Sequence, residues 1–92
     1  MEIVYHPRFE KRLIDILDYI ALDKISASIN FATELEQHIL QIPSNPYQYR
    51  KSLYFDDENI RDMTYKKFTI VYEVDADNGE LVIFDIFNRN KL

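Results

Sequence analysis

Large apolar residues recur with a helical period along the first part of the chain. Four of them follow one another at spacings of four, three and four residues: Phe9, Leu13, Ile16 and Ile20. This spacing places them on one face of a helix that packs against a core. Pro7 suits the first turn, because its missing N–H has no helical partner there anyway. The pattern predicts a short strand at Glu2–Tyr5, then a helix from about Pro7 to near Leu22.

A second apolar stripe predicts a second helix at Ile25–Ile42. Its members share one helical face: Ile29, Ala32, Leu35, Ile39 and Ile42. We predict Asp23 as the N-cap, because its carboxylate can accept a hydrogen bond from a free N–H of the first turn. Pro43 and Pro46 end the helix. The link between the two helices is so short that they must lie antiparallel, as a helical hairpin.

The second half of the chain changes to the alternation of apolar and polar residues that is typical of half-buried strands. It predicts strands at Ile60–Tyr65, Phe68–Asp75 and Glu80–Phe87. The preceding segment, Tyr47–Phe55, is interpreted as an extended loop. The element order is β-α-α-β-β-β within one domain, residues 1–92. This order predicts an α+β fold in which the helical hairpin packs on a small antiparallel sheet.

The only glycine, Gly79, directly follows Asn78. An Asn-Gly pair supplies the two positive-φ positions of a two-residue type I′ turn. We therefore predict a hairpin of the last two strands, with this dipeptide at its apex. These strands carry apolar residues on both faces, around Val71, Leu81 and Ile83. One face is expected to meet the helices, and the other to be only half protected.

The composition excludes several classes of function. There is no cysteine, so neither a disulfide nor a thiolate site is available. The net charge of −5 argues against general nucleic-acid affinity, which depends on accumulated lysine and arginine. No apolar run approaches the roughly 18 residues of a membrane span, and the first four residues are too few and too acidic for a signal peptide. We expect a soluble, cytoplasmic protein with no membrane partner.

Candidate sites for a metal or a cofactor are few. His6 and His38 lie on different predicted elements with no ligand spacing, so no metal site is expected. Asp56, Asp57 and Glu58 form an acidic run without a partner histidine, and we interpret it as a solvated loop. A chain with one glycine has no glycine-rich loop to cradle a phosphate. We therefore predict no metal and no cofactor.

Basic residues of the second half lie within or beside the predicted strands. Six of them are candidates for partner binding: Arg50, Lys51, Arg61, Lys66, Lys67 and Arg89. Two interpretations stay open, namely solubilising charges at strand ends and a docking surface for an acidic partner or for phosphates. Lys66 and Lys67 lie at a turn, and Arg89 follows the last strand. Whether these two places are close or opposite is not decided by the sequence.

Five segments form a recognisable combination: Pro7–Glu10, Asn45–Tyr47, Asn59–Asp62, Lys67–Val74 and the tail Ile83–Leu92. This combination resembles the RelE/ParE superfamily, the toxins of type II toxin–antitoxin modules, which includes plasmid stabilisation proteins. The resemblance covers essentially the whole chain, in the element order predicted above. It implies a toxin that is neutralised by a cognate antitoxin in a hetero-oligomer.

The superfamily contains two mechanisms. RelE-like members cleave mRNA on the ribosome with basic residues and a proton-transfer group near the C-terminus, whereas ParE-like members keep the fold and poison DNA gyrase. This chain has Thr69 where nuclease members place a catalytic arginine, and Asp62 at about the position of a catalytic lysine. No histidine or tyrosine follows Phe87. These departures favour a ParE-like gyrase poison that is not an enzyme.

Two alternatives stay open. A RelE-like endoribonuclease that binds the ribosome and mRNA would use Arg61, Tyr65 and Arg89, without a metal. A non-toxic binding module would retain the fold and the partner but not the poisoning activity. The antitoxin that the resemblance implies would bring an amphipathic helix, together with an extended segment, to cover the half-protected sheet or the helical hairpin. The six basic residues would be its charged contacts.

Overall fold

The computed structural model describes residues 1–91; Leu92, which ends the tail motif, and the side chain of Lys91 lie outside the described part. The helices and strands are β1 (Glu2–Tyr5), α1 (Pro7–Asp23), α2 (Ile25–Gln41), β2 (Arg50–Lys51), β3 (Ile60–Tyr65), β4 (Phe68–Asp75) and β5 (Glu80–Asn88), with 3-10 turns at Ile42–Ser44 and Arg89–Lys91. The predicted α+β arrangement, a helical hairpin on one sheet, is confirmed. The two-residue strand β2 is an addition within the segment predicted as an extended loop.

The first helix begins as the sequence predicts, whereas the link to the second helix differs. His6 caps α1, because its Nδ1 accepts a hydrogen bond from the backbone N–H of Arg8 at 3.0 Å. The prediction of Asp23 as the N-cap of α2 is wrong. α1 continues through Asp23, and Lys24 alone links the two helices. With a single linking residue, the second helix is forced to fold back along the first.

The five strands form one sheet in the order β1-β5-β4-β3-β2. The β3–β4 and β4–β5 pairs are antiparallel, as predicted, and the additional strand β2 also pairs antiparallel with β3. β1, however, pairs parallel with β5, from Glu2 opposite Glu80 to Tyr5 opposite Ile83, so the sheet is mixed. The helical hairpin carries the chain from β1 to the far edge of the sheet. Three antiparallel steps then bring β5 back beside β1 in the same direction.

A β-bulge interrupts β5 at Phe84. Tyr72 of β4 pairs with Ile83, and the adjacent Val71 pairs with Asp85, so Phe84 has no partner of its own on β4. Backbone groups along a strand face its two neighbours alternately. One extra residue therefore changes which of the following residues face β4 and which face the other side.

The two hairpin turns differ from the sequence prediction. The predicted two-residue type I′ turn at Asn78 and Gly79 is wrong: the loop between β4 and β5 has four residues, 76–79, and only Gly79 of the pair has a positive φ, +64°. The carboxylate of Asp75 accepts hydrogen bonds from the backbone N–H and Nδ2 of Asn78, at 3.2 and 2.8 Å. The two-residue turn lies instead between β3 and β4, where Lys66 has a φ of 54°. The predicted pairing of the two last strands is nevertheless correct.

Substitutions of Gly79 should cost stability through the backbone alone. A Cβ built on Gly79 meets no atom within 4 Å, so the cost comes from the left-handed φ and not from a clash. We expect Gly79→Ala to lower the free energy of unfolding by about 1 kcal/mol, Gly79→Val by more, and Gly79→Asn by less. Urea unfolding of the three variants measures this order. Equal stability of all three would contradict it.

The side of the sheet that faces the helices holds the main core. Its members on β3, β4 and β5 are Met63, Tyr65, Phe68, Ile70, Tyr72, Val74, Leu81, Ile83 and Ile86, which pack against Phe9, Phe31, Leu35 and Ile39 of the helices and against Ile42. Tyr72 is fully buried, and its hydroxyl donates to the carbonyl of Pro46. Leu81 and Ile83 lie in this core. Of the three residues around which both faces were expected to be apolar, Val71, Leu81 and Ile83, only Val71 lies outside this core.

A loop covers the face of the sheet that is turned away from the helices. Residues 52–59, here called the covering loop, leave β2, cross this face and return to β3. The Tyr54 ring meets Phe87 at 5.0 Å between centroids, and the Phe55 ring meets Phe84 at 5.8 Å. Val71 is consequently only 1% exposed although it lies outside the main core. The face that was expected to be half protected is closed by the chain itself.

Candidate functional site

The six basic residues predicted to bind a partner fall into two groups. The edge group, near β2 and the start of β3, contains Arg50, Lys51 and Arg61. The turn group, near the β3–β4 turn and the end of β5, contains Lys66, Lys67 and Arg89. Arg89 lies beside the turn, because its backbone N–H donates to the carbonyl of Lys67 at 3.0 Å. The two places that the sequence left open therefore lie at the same end of the sheet.

The edge group is largely neutralised by the acidic run that follows it. Lys51 Nζ lies 3.0 Å from Asp56 Oδ1 and 3.7 Å from Glu58 Oε1. The hydrogen bond that Lys51 donates to the Asp56 carboxylate, together with the negative charge of that carboxylate, raises the pKa of Lys51. Arg61 donates through Nε to the carbonyl of Glu58 at 2.9 Å and through Nη1 to the carbonyl of Tyr49 at 3.1 Å, and its side chain is only 15% exposed. These groups hold the loop in place, which leaves little free charge for a partner.

Lys66 and Lys67 of the turn group border an open groove of about 1020 Å³ between α1 and the end of the sheet. Its apolar lining comes from α1, α2, the start of β4 and β5: Ile16, Tyr19, Ile20, Phe31, Phe68, Ile86 and Phe87. Its charged lining consists of Arg12, Lys66 and Lys67 with the single carboxylate of Asp15. Two of these cations have a carboxylate nearby: Lys66 Nζ lies 3.8 Å from Glu34 on α2, and Arg12 Nε lies 3.5 Å from Asp85 on β5. The groove is thus apolar with a mainly cationic rim, on a chain whose net charge is −5.

Exposed apolar residues extend this surface along the tip of the helical hairpin. They are Tyr19, Leu22, Ile25 and Ile29. Leu22 is 85% exposed and Tyr19 is 76% exposed. An apolar patch of this kind on a small protein is typical of a surface that another protein covers. Sequence analysis missed this surface. It assigned Ile29 to the apolar stripe of the second helix, whereas Ile29 is 61% exposed, and it gave Tyr19 and Ile25 no role.

The structure places Arg61 of the nuclease alternative toward the other end of β3 from Tyr65 and Arg89. Tyr65 is 7% exposed, and its hydroxyl donates to Glu34 Oε2 at 2.7 Å. Burial, and then this hydrogen bond, raise the pKa of Tyr65 to about 12, far from the pKa near 7 that suits proton transfer at neutral pH. Arg61 lies four residues away along β3, or about 13 Å for an extended strand. Arg89 lies at the opposite end of the sheet from Arg61.

The two positions where nuclease members place an arginine and a lysine are closed in this chain. Asp62 and Thr69 lie on the face beneath the covering loop and are 2% and 0% exposed. Asp62 Oδ2 accepts a hydrogen bond from the backbone N–H of Leu53 at 3.0 Å and lies 3.9 Å from Nη2 of Arg50. Asp62 Oδ1 and Thr69 Oγ1 have no hydrogen-bond partner among the described residues. A phosphate group would meet a buried carboxylate here and not a cation.

Two further findings concern the part of the chain between residues 1 and 91. No three side chains of histidine, aspartate or glutamate come together there as a metal site. Neither described helix has the length and apolar character needed to cross a bilayer.

Comparisons with known proteins agree with this geometry. The sequence matches the model of the family described as ParE toxin of type II toxin-antitoxin system, parDE, over residues 3–92. No curated protein matches the sequence. Among solved structures, the fold is similar to a chain of the chromosomal ParDE toxin–antitoxin system from P. aeruginosa, with a TM-score of 0.76, 15% identity, and coverage of 96% of this chain and 95% of that one. The chain belongs to the ParE toxin family.

Proposed function

We propose that the chain is a cytoplasmic toxin that poisons DNA gyrase and is neutralised by a cognate antitoxin. The observation that carries the choice of gyrase over RNA is the burial of Asp62 and Thr69 beneath the covering loop. Metal-independent RNA cleavage needs a base, an acid and cations around the scissile phosphate. In this chain the positions of the nuclease arginine and lysine, Thr69 and Asp62, are buried. The residues of the nuclease alternative are buried, as Tyr65 is, or far apart, as Arg61 and Arg89 are. Membership of the ParE toxin family supports a toxin whose action does not depend on groups for RNA cleavage.

The groove is the proposed docking site of the antitoxin. Its apolar lining would take apolar anchors, which supply most of the affinity of a protein interface. Its rim of Arg12, Lys66 and Lys67 would attract acidic residues, which mainly accelerate association. Of the six predicted contacts, Lys66 and Lys67 fit this role, because they line the groove. The edge group contributes less, because none of its residues lines the groove and because Lys51 and Arg61 are held by Asp56 and Glu58.

Expression of the chain alone should arrest bacterial growth, and the antitoxin encoded by the adjacent gene should restore it. Growth curves and viable counts after induction measure both effects. The groove variant Tyr19→Glu should arrest growth but be rescued less well, because it places a carboxylate where the antitoxin's apolar and acidic groups would dock.

Ile14→Glu is the matched control, since Ile14 is an exposed apolar residue of α1 that does not line the groove. It should be rescued like the wild type. Unimpaired growth with soluble, folded protein would identify a non-toxic binding module instead.

A further inference from the structure

We propose that the covering loop carries a second docking surface, through which the chain binds a basic and apolar surface of its target protein, DNA gyrase. This inference rests on the proposed function, because it takes gyrase as the target. Residues 53–58 of the loop, here called the loop surface, are three apolar residues followed by three acidic ones: Leu53, Tyr54, Phe55, Asp56, Asp57 and Glu58. They lie on the face of the sheet that is turned away from the helices.

The three apolar side chains of the loop surface stay exposed to different degrees. Leu53 is 69% exposed, whereas Tyr54 and Phe55 are 41% and 40% exposed. The two aromatic rings help to cover the sheet, since they meet Phe87 and Phe84. The Leu53 side chain stays largely in solvent, between its chain and any partner. A leucine presented beside two half-exposed rings forms an apolar patch that a second protein can cover.

Hydrogen bonds hold the loop surface in one conformation. At its start, the backbone N–H of Leu53 donates to the buried carboxylate of Asp62 at 3.0 Å. At its end, the N–H of Asn59 donates to Asp57 Oδ1 at 2.8 Å, and the Tyr47 hydroxyl donates to Asn59 Oδ1 at 2.7 Å. A surface that is already ordered loses little conformational entropy on binding, so more of its contact energy contributes to affinity.

The charge of the loop surface indicates the chemistry of its partner. Asp56, Asp57 and Glu58 are all exposed. Two cations, Lys51 and Arg61, lie 3.0–3.7 Å from the first and the last of these carboxylates. Three carboxylates against two cations leave one net negative charge beside the apolar patch. Phosphates of a nucleic acid would be repelled, so the partner is a protein with basic residues around an apolar centre.

The loop surface differs from the groove in place and in sign of charge. The groove has a mainly cationic rim, and no residue of the covering loop lines it. An acidic antitoxin segment that suits this rim would be repelled by the loop surface, which therefore fits a different protein. The two surfaces meet at Phe87, which lines the groove and contacts Tyr54. An antitoxin in the groove would consequently obstruct a protein as large as gyrase.

The first test compares Leu53→Lys with Leu40→Lys in the full chain. Both place a lysine at an exposed leucine, but Leu40 lies on α2 and does not line the groove. Surface plasmon resonance on immobilised gyrase should show about tenfold weaker binding for Leu53→Lys, because an apolar anchor is lost and a cation meets a basic surface. Leu40→Lys should bind gyrase like the wild type, and both variants should bind the antitoxin with unchanged affinity.

The second test isolates the charge with Asp57→Asn, for which Asp77→Asn is the control. Asparagine keeps a side-chain oxygen that can accept the N–H of Asn59, so the main change is the lost charge. Asp57→Asn should slow association with gyrase by about threefold and change dissociation little. The same substitution at Asp77, in the exposed loop between β4 and β5, should change neither rate.

Wild-type affinity for gyrase in both Leu53→Lys and Asp57→Asn would overturn the loop surface as a docking site while leaving gyrase as the target. Weaker antitoxin binding by Leu53→Lys would assign the loop to the antitoxin, and a wild-type dimer that this substitution separates would assign it to a second copy. Either result would also overturn the inference. A wild-type chain that neither binds gyrase nor linearises plasmid with it would overturn the proposed function and this inference together.

Discussion

Replacement of Asp62 by lysine is expected to lower the free energy of unfolding by about 3–5 kcal/mol. The Asp62 side chain is fully buried, accepts a hydrogen bond from the backbone N–H of Leu53 in the covering loop, and lies 3.9 Å from the Arg50 guanidinium. Lysine would leave that N–H without an acceptor and bury a cation next to Arg50. Urea unfolding measures the loss, and faster amide exchange in the covering loop would show that the loop is released.

Asp77→Lys is the matched control for this substitution. It makes the same change of charge at an exposed residue of the loop between β4 and β5, and it should change stability by about 0.5 kcal/mol or less. If Asp62→Lys were as stable as Asp77→Lys, the covering loop would not be packed on Asp62. The argument that this face is closed to a phosphate would then fail.

The sequence predicted the strands better than the way in which they join. The bounds of Ile60–Tyr65 and Phe68–Asp75 agree with the structure, because one face of each is buried in the core and alternation reports that burial. The parallel pairing of β1 depends on where the chain returns after the helices, which no local pattern records. Asn78 and Gly79 were assigned to the wrong turn type, since the register of β4 and β5 leaves four residues between the strands.

The conformation of the turn at Lys66 could not be predicted from the sequence either. A lysine with positive φ carries no local signal, because this conformation is rare for residues other than glycine and asparagine. It is held here by its surroundings. Tyr65 and Phe68 on either side of the turn are buried and pair with each other, and Lys66 lies near Glu34. Tertiary packing and not the sequence of the turn determines the backbone.

The candidate site was predicted in part. All six basic residues were identified, but the sequence did not show that Lys51 and Arg61 are paired with Asp56 and Glu58, because a charge run that looks solvated can fold back on its neighbours. The groove was not predicted either, since it is formed by α1 and β5, which are far apart in the chain. Exposed Tyr19 was the residue from which it could have been inferred.

Gyrase-dependent DNA cleavage is the measurement that tests the central claim most directly. Purified chain is incubated with DNA gyrase, ATP and supercoiled plasmid, and covalent complexes are then released with detergent and protease. We predict linear plasmid in proportion to the amount of chain, and none when the antitoxin is added first. Plasmid that stays uncut, while the same preparation cleaves mRNA on programmed ribosomes, would contradict a gyrase poison and return Arg61, Tyr65 and Arg89 to consideration as catalytic residues.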